Sequence, residues 1–280
     1  MKVGVIGTGT MGGMLAKTMV ESGAVASENL MLFNRTKAKG EAVAAATGGS
    51  CVSTLQSLIQ AADLIFIAVR PDQFSDVCEN ISGLLKQEQV VVSITSPVTA
   101  SDLAMLLPCR TVQFIPSITN EAQAGGSLID FGDGFNRAER AGLSAWFRQF
   151  SEPLPIIADT TRAASDLISC GPAFTSFILQ EMMTAAEQTT SIRQQEAEQY
   201  IREMVIGMGE LLKRGYSFAE LQEKVCVPNG VTGVGLKVLE EQLRGVFSPL
   251  FTATHAKFAK DEEMVSANFS HARQKLNGNG

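Results

Sequence analysis

Three groups of residues in this chain have the types and the spacing to do chemistry. Gly7-Thr8-Gly9-Thr10-Met11-Gly12 follows directly on the apolar run Val3 to Ile6. In such a pattern one glycine makes a tight turn, a second lets backbone amides approach a pyrophosphate, and a third lets a helix pack closely on a strand. Amides and helix dipole then favour an anion. The motif alone is weak evidence, but the strand-like run before it and Met14, Leu15 and Met19 at helical spacing after it supply the required context. Asn34-Arg35-Thr36-Lys37 follows the run Leu30 to Phe33, where an NAD-binding chain places Asp or Glu to hold both ribose hydroxyls. A guanidinium and a hydroxyl suit the 2′-phosphate of NADP instead, which a carboxylate would repel. NADP is therefore favoured, with NAD as the alternative and a solvated basic turn as the plainer reading. After a further run, Val69-Arg70-Pro71 offers a guanidinium that either touches cofactor ribose or phosphate or faces solvent. The third group, Asn229-Gly230-Val231-Thr232-Gly233, opens onto Val234, Leu236, Val238 and Leu239 at helical spacing. Amides at such a helix start suit a small carboxylate, and the Thr232 hydroxyl can bond a neighbouring nitrogen or oxygen. A plain turn between two helices accounts for the spacing equally well.

These residues need elements that hold them. As far as about residue 157, β-rich runs alternate with helical stretches: Leu64 to Val69, Val90 to Ile94, Thr111 to Ile115, Ser127 to Phe131 and Leu154 to Ile157 continue the series. That rhythm predicts an α/β, doubly wound, mostly parallel sheet, whose ligand crevice lies beyond the carboxyl ends of the strands. Pro116-Ser117-Ile118-Thr119-Asn120 and Ser93 to Pro97 are further candidate walls. Past Asp159 the strand signals stop, and Phe174, Phe177, Ile178, Met182, then Ile201, Met204, Val205 and Met208 recur at helical spacing. The expectation is a dinucleotide-binding domain over residues 1–158 and an all-helical substrate and dimerisation domain over 159–280, with Pro172 at a helix start and a flexible tail from about residue 262.

Composition sets limits. The chain has 280 residues, 45% of them hydrophobic, enough for a sizeable core. With 23 basic against 29 acidic residues the net charge is -6, and no stretch gathers the basic ones into a stripe, so a small molecule rather than nucleic acid is the expected partner. Five scattered cysteines without a CxxC pair, and only two histidines, point to reduced thiols in a cytoplasm and to no metal site. No segment has the length and apolarity of a membrane span. Cys170 and Cys226 have no evident base partner in the sequence, so buried inert thiols are the expectation, and His255 on a partly apolar helix suits core or interface packing better than catalysis. Gly207 and Gly209 inside a helical pattern suggest close approach by another helix, possible from a second subunit.

In order, Gly7 to Gly12, Asn34-Arg35-Thr36, Ala68-Val69-Arg70-Pro71, Gly171-Pro172-Ala173-Phe174 and Val225 through Glu240 resemble the pyrroline-5-carboxylate reductase family over nearly the whole chain. Phe218 to Glu240 is similar to that family's C-terminal signature, including Pro228, Gly230, Thr232, Gly235, Leu236, Leu239 and Glu240. Within the family the chain is most similar to the late competence protein branch. The resemblance implies a Rossmann domain, a helical domain that interlocks two subunits, and NAD(P)H-dependent reduction of 1-pyrroline-5-carboxylate to L-proline. It also implies that Thr232 bonds the imine nitrogen while the amides of Gly230 to Gly233 hold the substrate carboxylate. Three positions depart from the family pattern: Ser117 follows Pro116 where Asn-Thr-Pro is usual, Thr95-Ser96-Pro97 replaces a small Ala-Ala-Gly run, and Val227 stands where a serine is common. Two alternatives follow: a regulatory protein that binds the dinucleotide without turnover, and a β-hydroxyacid dehydrogenase. The latter would carry a lysine early in the helical domain, and residues 160–190 contain none.

Overall fold

The computed structural model describes residues 1–278. Contacts divide the chain into two compact units, residues 1–170 with 254–280, and residues 171–253. The first unit therefore takes the chain back at its end, and the second unit runs from residue 171 to residue 253.

In the first unit the elements run β1 (Val3–Ile6), α1 (Thr10–Glu21), β2 (Leu30–Phe33), α2 (Lys37–Thr47), β3 (Ser50–Cys51), α3 (Leu55–Ala61), β4 (Leu64–Ile67), α4 (Phe74–Ser82), β5 (Val90–Ser93), α5 (Ala100–Leu106), β6 (Arg110–Ile115), β7 (Gly126–Phe131), α6 (Arg137–Phe147) and β8 (Glu152–Pro155). The strands form one sheet in the order β3-β2-β1-β4-β5-β6-β7-β8, parallel except for the β6–β7 pair. Strand order reverses between β1 and β4, so this is a doubly wound sheet with its crevice at their carboxyl ends.

Alternation along the strands fills both faces. Val3 and Val5 join Leu64 and Phe66 on one face under Leu15, Met19 and Phe147, while Ile6, Ile65 and Ile67 pack on the other against α3, α4 and α5. Prolines 153 and 155 show why β8 sits at the sheet edge. Glu152 and Ile156 donate their N–H groups to Gly125 and Ile129, so the two prolines occupy alternate positions whose missing N–H faces away from β7.

After β8 the chain enters α7 (Thr161–Ser165), a π-helical turn (Asp166–Cys170) and α8 (Gly171–Thr189) without a break. Pro172, expected at a helix start, lies in the first turn of α8 directly after the π turn, which accommodates a residue without an N–H to donate. The second unit continues with α9 (Gln194–Lys213), α10 (Phe218–Val225) and α11 (Val231–Leu243), and α12 (Phe247–Gly278) leads back into the first. No residue of α8, α10 or α11 is buried, and Phe177, Ile206, Phe218, Val234 and Val238 are exposed. At Gly207 and Gly209 an added Cβ would meet nothing within 4 Å.

The segment from residue 262, expected to be a flexible tail, is helical as far as residue 278, and residues 279 and 280 of the expected frayed end lie outside the described residues. Val265, Phe269 and Ala272, spaced four and three apart, are buried among Leu58, Phe74 and Leu103, and Lys275 reaches Glu79 at 3.4 Å. Apolar residues on one stripe of that helix complete the core. Phe269→Ala should cost about 3–5 kcal/mol of stability by leaving a cavity. Urea unfolding would measure it, and a loss below about 1 kcal/mol would mean the helix end contributes little to the core.

Candidate functional site

The glycine loop is held from both sides. Gly7 has φ +97°, and its N–H donates to the Phe33 carbonyl at 2.8 Å. A Cβ on Gly7 would lie 2.4 Å from the Ala68 carbonyl oxygen, and one on Gly12 only 2.0 Å from the Gly7 carbonyl oxygen. Gly9 differs: an added Cβ there meets nothing within 4 Å, so this backbone is open to a ligand. Gly9 is the N-cap of α1, and the first turn contains no acidic residue. The N–H groups of Thr10, Met11 and Gly12 have no acceptor within the helix. Beside them the Thr8 hydroxyl is buried without a hydrogen-bond partner among the described residues. Unpaired amides and an orphaned hydroxyl at one helix start are polar groups that phosphate oxygens would satisfy, so the residues fit a dinucleotide.

Asn34 ties two walls together. Its Oδ1 accepts from the Thr8 N–H at 3.0 Å and its Nδ2 donates to the Thr36 carbonyl at 2.9 Å. Arg35 is exposed and forms no ion pair among the described residues, whereas Lys37 pairs with Glu41 at 3.1 Å. Thr36 caps α2 with no hydrogen bond from its side chain. The geometry therefore gives Asn34 an internal role and leaves Arg35 and Thr36 available to a ligand. After β4, Arg70 pairs with Asp72 at 3.0 Å with 73% of its side chain exposed, and Pro71 opens a short 3-10 turn. The Val69 carbonyl accepts from the Thr95 hydroxyl at 3.2 Å, locking the loops after β4 and β5 together.

Further polar locks are not visible in local sequence. Gln113 donates to the Ser96 carbonyl at 2.7 Å, and the turn containing Pro97 closes through Val98 N–H to Thr95 carbonyl at 3.0 Å, where proline needs no donor. Ser117 is buried; its hydroxyl donates to the Ile168 carbonyl at 2.8 Å, and Ser169 donates to the Pro116 carbonyl at 2.8 Å. The unusual Thr95-Ser96-Pro97 and Ser117 positions are thus built into the loops that end β5 and β6. Asp166, Arg162 and Ser165 are additional residues of this region that sequence reading missed. Their only local signal is the four-residue spacing of Arg162 and Asp166.

In the helical unit, Asn229 is left-handed with φ +60°, and the Gly230 N–H donates to the Val227 carbonyl at 3.0 Å. Gly230 then caps α11, whose first turn carries no acidic residue. A Cβ at Gly230 would fall 2.7 Å from a Val227 methyl and 3.0 Å from the Val227 carbonyl oxygen, so a larger residue there would crowd the turn. The amides of Val231, Thr232 and Gly233 begin the helix without intrahelical acceptors. The Thr232 hydroxyl is half-buried and has no hydrogen-bond partner among the described residues.

Burial pushes the Cys170 thiol up, outweighing the Arg162 guanidinium that pulls it down, and burial holds Cys109 up at about 11. His255 lies on α12 with Nε2 3.8 Å from Asp166. Among the described residues no three His, Cys, Asp or Glu side chains gather to hold a metal, and no described helix is long and apolar enough to cross a membrane.

Comparison with known proteins gives two matched regions, the second beginning at residue 158 and running past the helical unit to residue 263. Residues 158–263 match a family model described as pyrroline-5-carboxylate reductase dimerisation, and residues 2–97 one described as NADP oxidoreductase, coenzyme F420-dependent. The ComE operon protein 4 of Bacillus subtilis is 39% identical over 271 residues, covering 96% of this chain and 99% of that protein. Pyrroline-5-carboxylate reductase 3 of the same organism is 26% identical over 268 residues, covering 94% and 98%. Among solved structures, the Plasmodium falciparum pyrroline carboxylate reductase with NADP bound superimposes with a TM-score of 0.80 at 21% identity, covering 94% of this chain and 98% of that one. Sequence, fold and the two matched domains together place this chain in the pyrroline-5-carboxylate reductase family of NAD(P)-dependent oxidoreductases, alongside the ComE operon protein 4.

Proposed function

We propose that the protein reduces a cyclic imino acid with NADPH, most specifically 1-pyrroline-5-carboxylate to L-proline. The observation that carries this reading is the glycine cradle: open backbone at Gly9, free amides at the start of α1 and the buried, unpartnered Thr8 hydroxyl. The cofactor supplies a hydride to the imine carbon. The chain supplies two anion-binding helix starts: α1 takes the pyrophosphate, and α11 takes the substrate carboxylate through the amides of Val231 to Gly233. Thr232 holds the imine nitrogen, which receives its proton from solvent. No strong protein acid is required, because a protonated imine is already an acceptor for hydride. A second copy of this chain covers the bare apolar faces of α8, α10 and α11, giving a homodimer or a larger assembly, and reduced thiols fit a cytoplasmic setting.

NADPH oxidation by the purified protein with 1-pyrroline-5-carboxylate, beside NADPH binding without it, tests the proposal. Saturable turnover to proline supports it. Tight NADPH binding with no turnover of this or a related imine supports a second reading, a nucleotide-binding regulatory protein. The observation favouring that reading is Val227, which presents methyl groups at the turn before α11 where the resemblance leads one to expect a serine hydroxyl.

Arg35 decides between the cofactors. It is exposed and forms no ion pair among the described residues, so its guanidinium is available to the 2′-phosphate. Arg35→Ala is expected to weaken NADPH binding about tenfold, the loss of one charge-assisted hydrogen bond, while NADH affinity stays the same. Equal weakening of both cofactors, measured by fluorescence titration, would remove the 2′-phosphate assignment.

A further inference from the structure

We propose that Asp166 is a positioning residue for the nicotinamide half of the crevice, an inference that rests on the NADPH reading above. Its carboxylate is fully buried. One oxygen accepts from Arg162 Nη2 at 2.8 Å, the other from the Thr254 hydroxyl at 2.7 Å. Arg162 is fixed in turn: Nη2 also reaches Cys170 Sγ at 3.4 Å, and the guanidinium lies 5.3 Å from the Phe258 ring centre. One carboxylate therefore joins the α7 and π-turn segment, where the chain leaves the nucleotide unit, to the start of the α12 segment by which it returns.

The π turn is also where the crevice loops are anchored. Ser165 Oγ lies 3.3 Å from Ser96 Oγ, Ser117 donates to the Ile168 carbonyl, and Ser169 donates to the Pro116 carbonyl. Pro172 has no N–H to offer the Ile168 carbonyl four residues before it, which leaves that oxygen for Ser117. Asp166 sits in the middle of these three contacts. In a doubly wound sheet one mononucleotide lies over the β1–β2 side, where the glycine loop and Arg35 are, and the other over the β4–β5 side. The loops held by residues 165–169 end β5 and β6. A buried carboxylate held by Arg162 and Thr254, with His255 Nε2 3.8 Å away, fixes where those loops stand, and among the described residues it makes no contact with the glycine loop or Arg35.

Two ligands separate the halves. 2′,5′-ADP reports only the adenosine side, and NADPH reports both. Asp166→Ala and Asp166→Asn should leave the 2′,5′-ADP dissociation constant within about twofold and raise that of NADPH about tenfold, with the emission of bound NADPH moving towards that of free NADPH. Thr254→Val should shift NADPH in the same direction by less. If Asp166→Ala does not fold, the double variant R162M/D166L removes both charges of the pair together and leaves no uncompensated buried charge, and circular dichroism checks that it is folded. It should show the same loss confined to NADPH. Equal weakening of both ligands, unchanged NADPH affinity in the Asp166 variants, or wild-type NADPH affinity in R162M/D166L would overturn the positioning role. Wild-type protein that binds neither ligand overturns the proposed function and this inference with it.

Discussion

Gly12→Ala is expected to raise the NADPH dissociation constant at least about a hundredfold and to lower the stability of the nucleotide unit by about 1–3 kcal/mol. The new Cβ would lie 2.0 Å from the Gly7 carbonyl oxygen and 2.8 Å from the Ala68 Cβ. Neither neighbour is the loose end of a flexible side chain. Gly7 is already held at positive φ with its N–H on Phe33, and Ala68 is tied by its own N–H to the Ile6 carbonyl at 2.8 Å. The strain therefore moves α1 away from β1, and the free amides of the first turn move with it. Gly9→Ala provides the contrast. Its Cβ meets nothing within the chain, so thermal unfolding should be unchanged while NADPH binding falls sharply, because the methyl group fills the approach to the backbone. Fluorescence titration beside thermal unfolding of both variants gives the answer. Wild-type affinity in either variant would show that the pyrophosphate does not lie against this loop.

The elements that sequence made legible are those whose signals are local. Val3 to Ile6 with the three glycines, and the alternating runs that became β2, β4, β5, β6 and β7, state their structure within a few residues. Asn34 was also recognisable, although the structure uses it to hold Thr8 and Thr36. β3 is two residues long and gives no periodicity to read, and the expected last strand was placed two residues late because Pro153 and Pro155 look like interruptions until the edge position is known. The end of α12 looked like a tail because its three buried residues are diluted by charge. Its core contacts lie with helices some two hundred residues earlier. Asp166 is the clearest case of what composition conceals. In the sequence it is an acid four residues after an arginine, the pattern of an exposed helix pair. Only contact with Thr254, 88 residues away, and the serines that hold the π turn reveal a buried junction. Polar residues that pair across such separations carry no period, so hydrophobic patterning cannot find them.

Thr232→Ala is the sharpest test of the substrate side. The hydroxyl is half-buried, bonds to nothing among the described residues, and stands in the first turn of a helix whose amides are free for an anion. If it holds the imine nitrogen, its loss removes one hydrogen bond to a charged or developing-charge group, about 1.5–3 kcal/mol, and lowers kcat/KM for 1-pyrroline-5-carboxylate by about ten- to a hundredfold. NADPH binding should stay at the wild-type value, because the glycine cradle and Arg35 belong to the other unit and make no use of this side chain. Thr232→Ser keeps the hydroxyl and should recover most of the rate. Thr232→Val keeps the shape without the hydroxyl and should behave like Ala. This set separates chemistry from packing: a methyl-shaped role is rescued by Val, and a hydrogen-bonding role by Ser. Steady-state kinetics in which Val restores turnover and Ser does not would reassign Thr232 to packing and leave the α11 amides alone as the substrate's anchor.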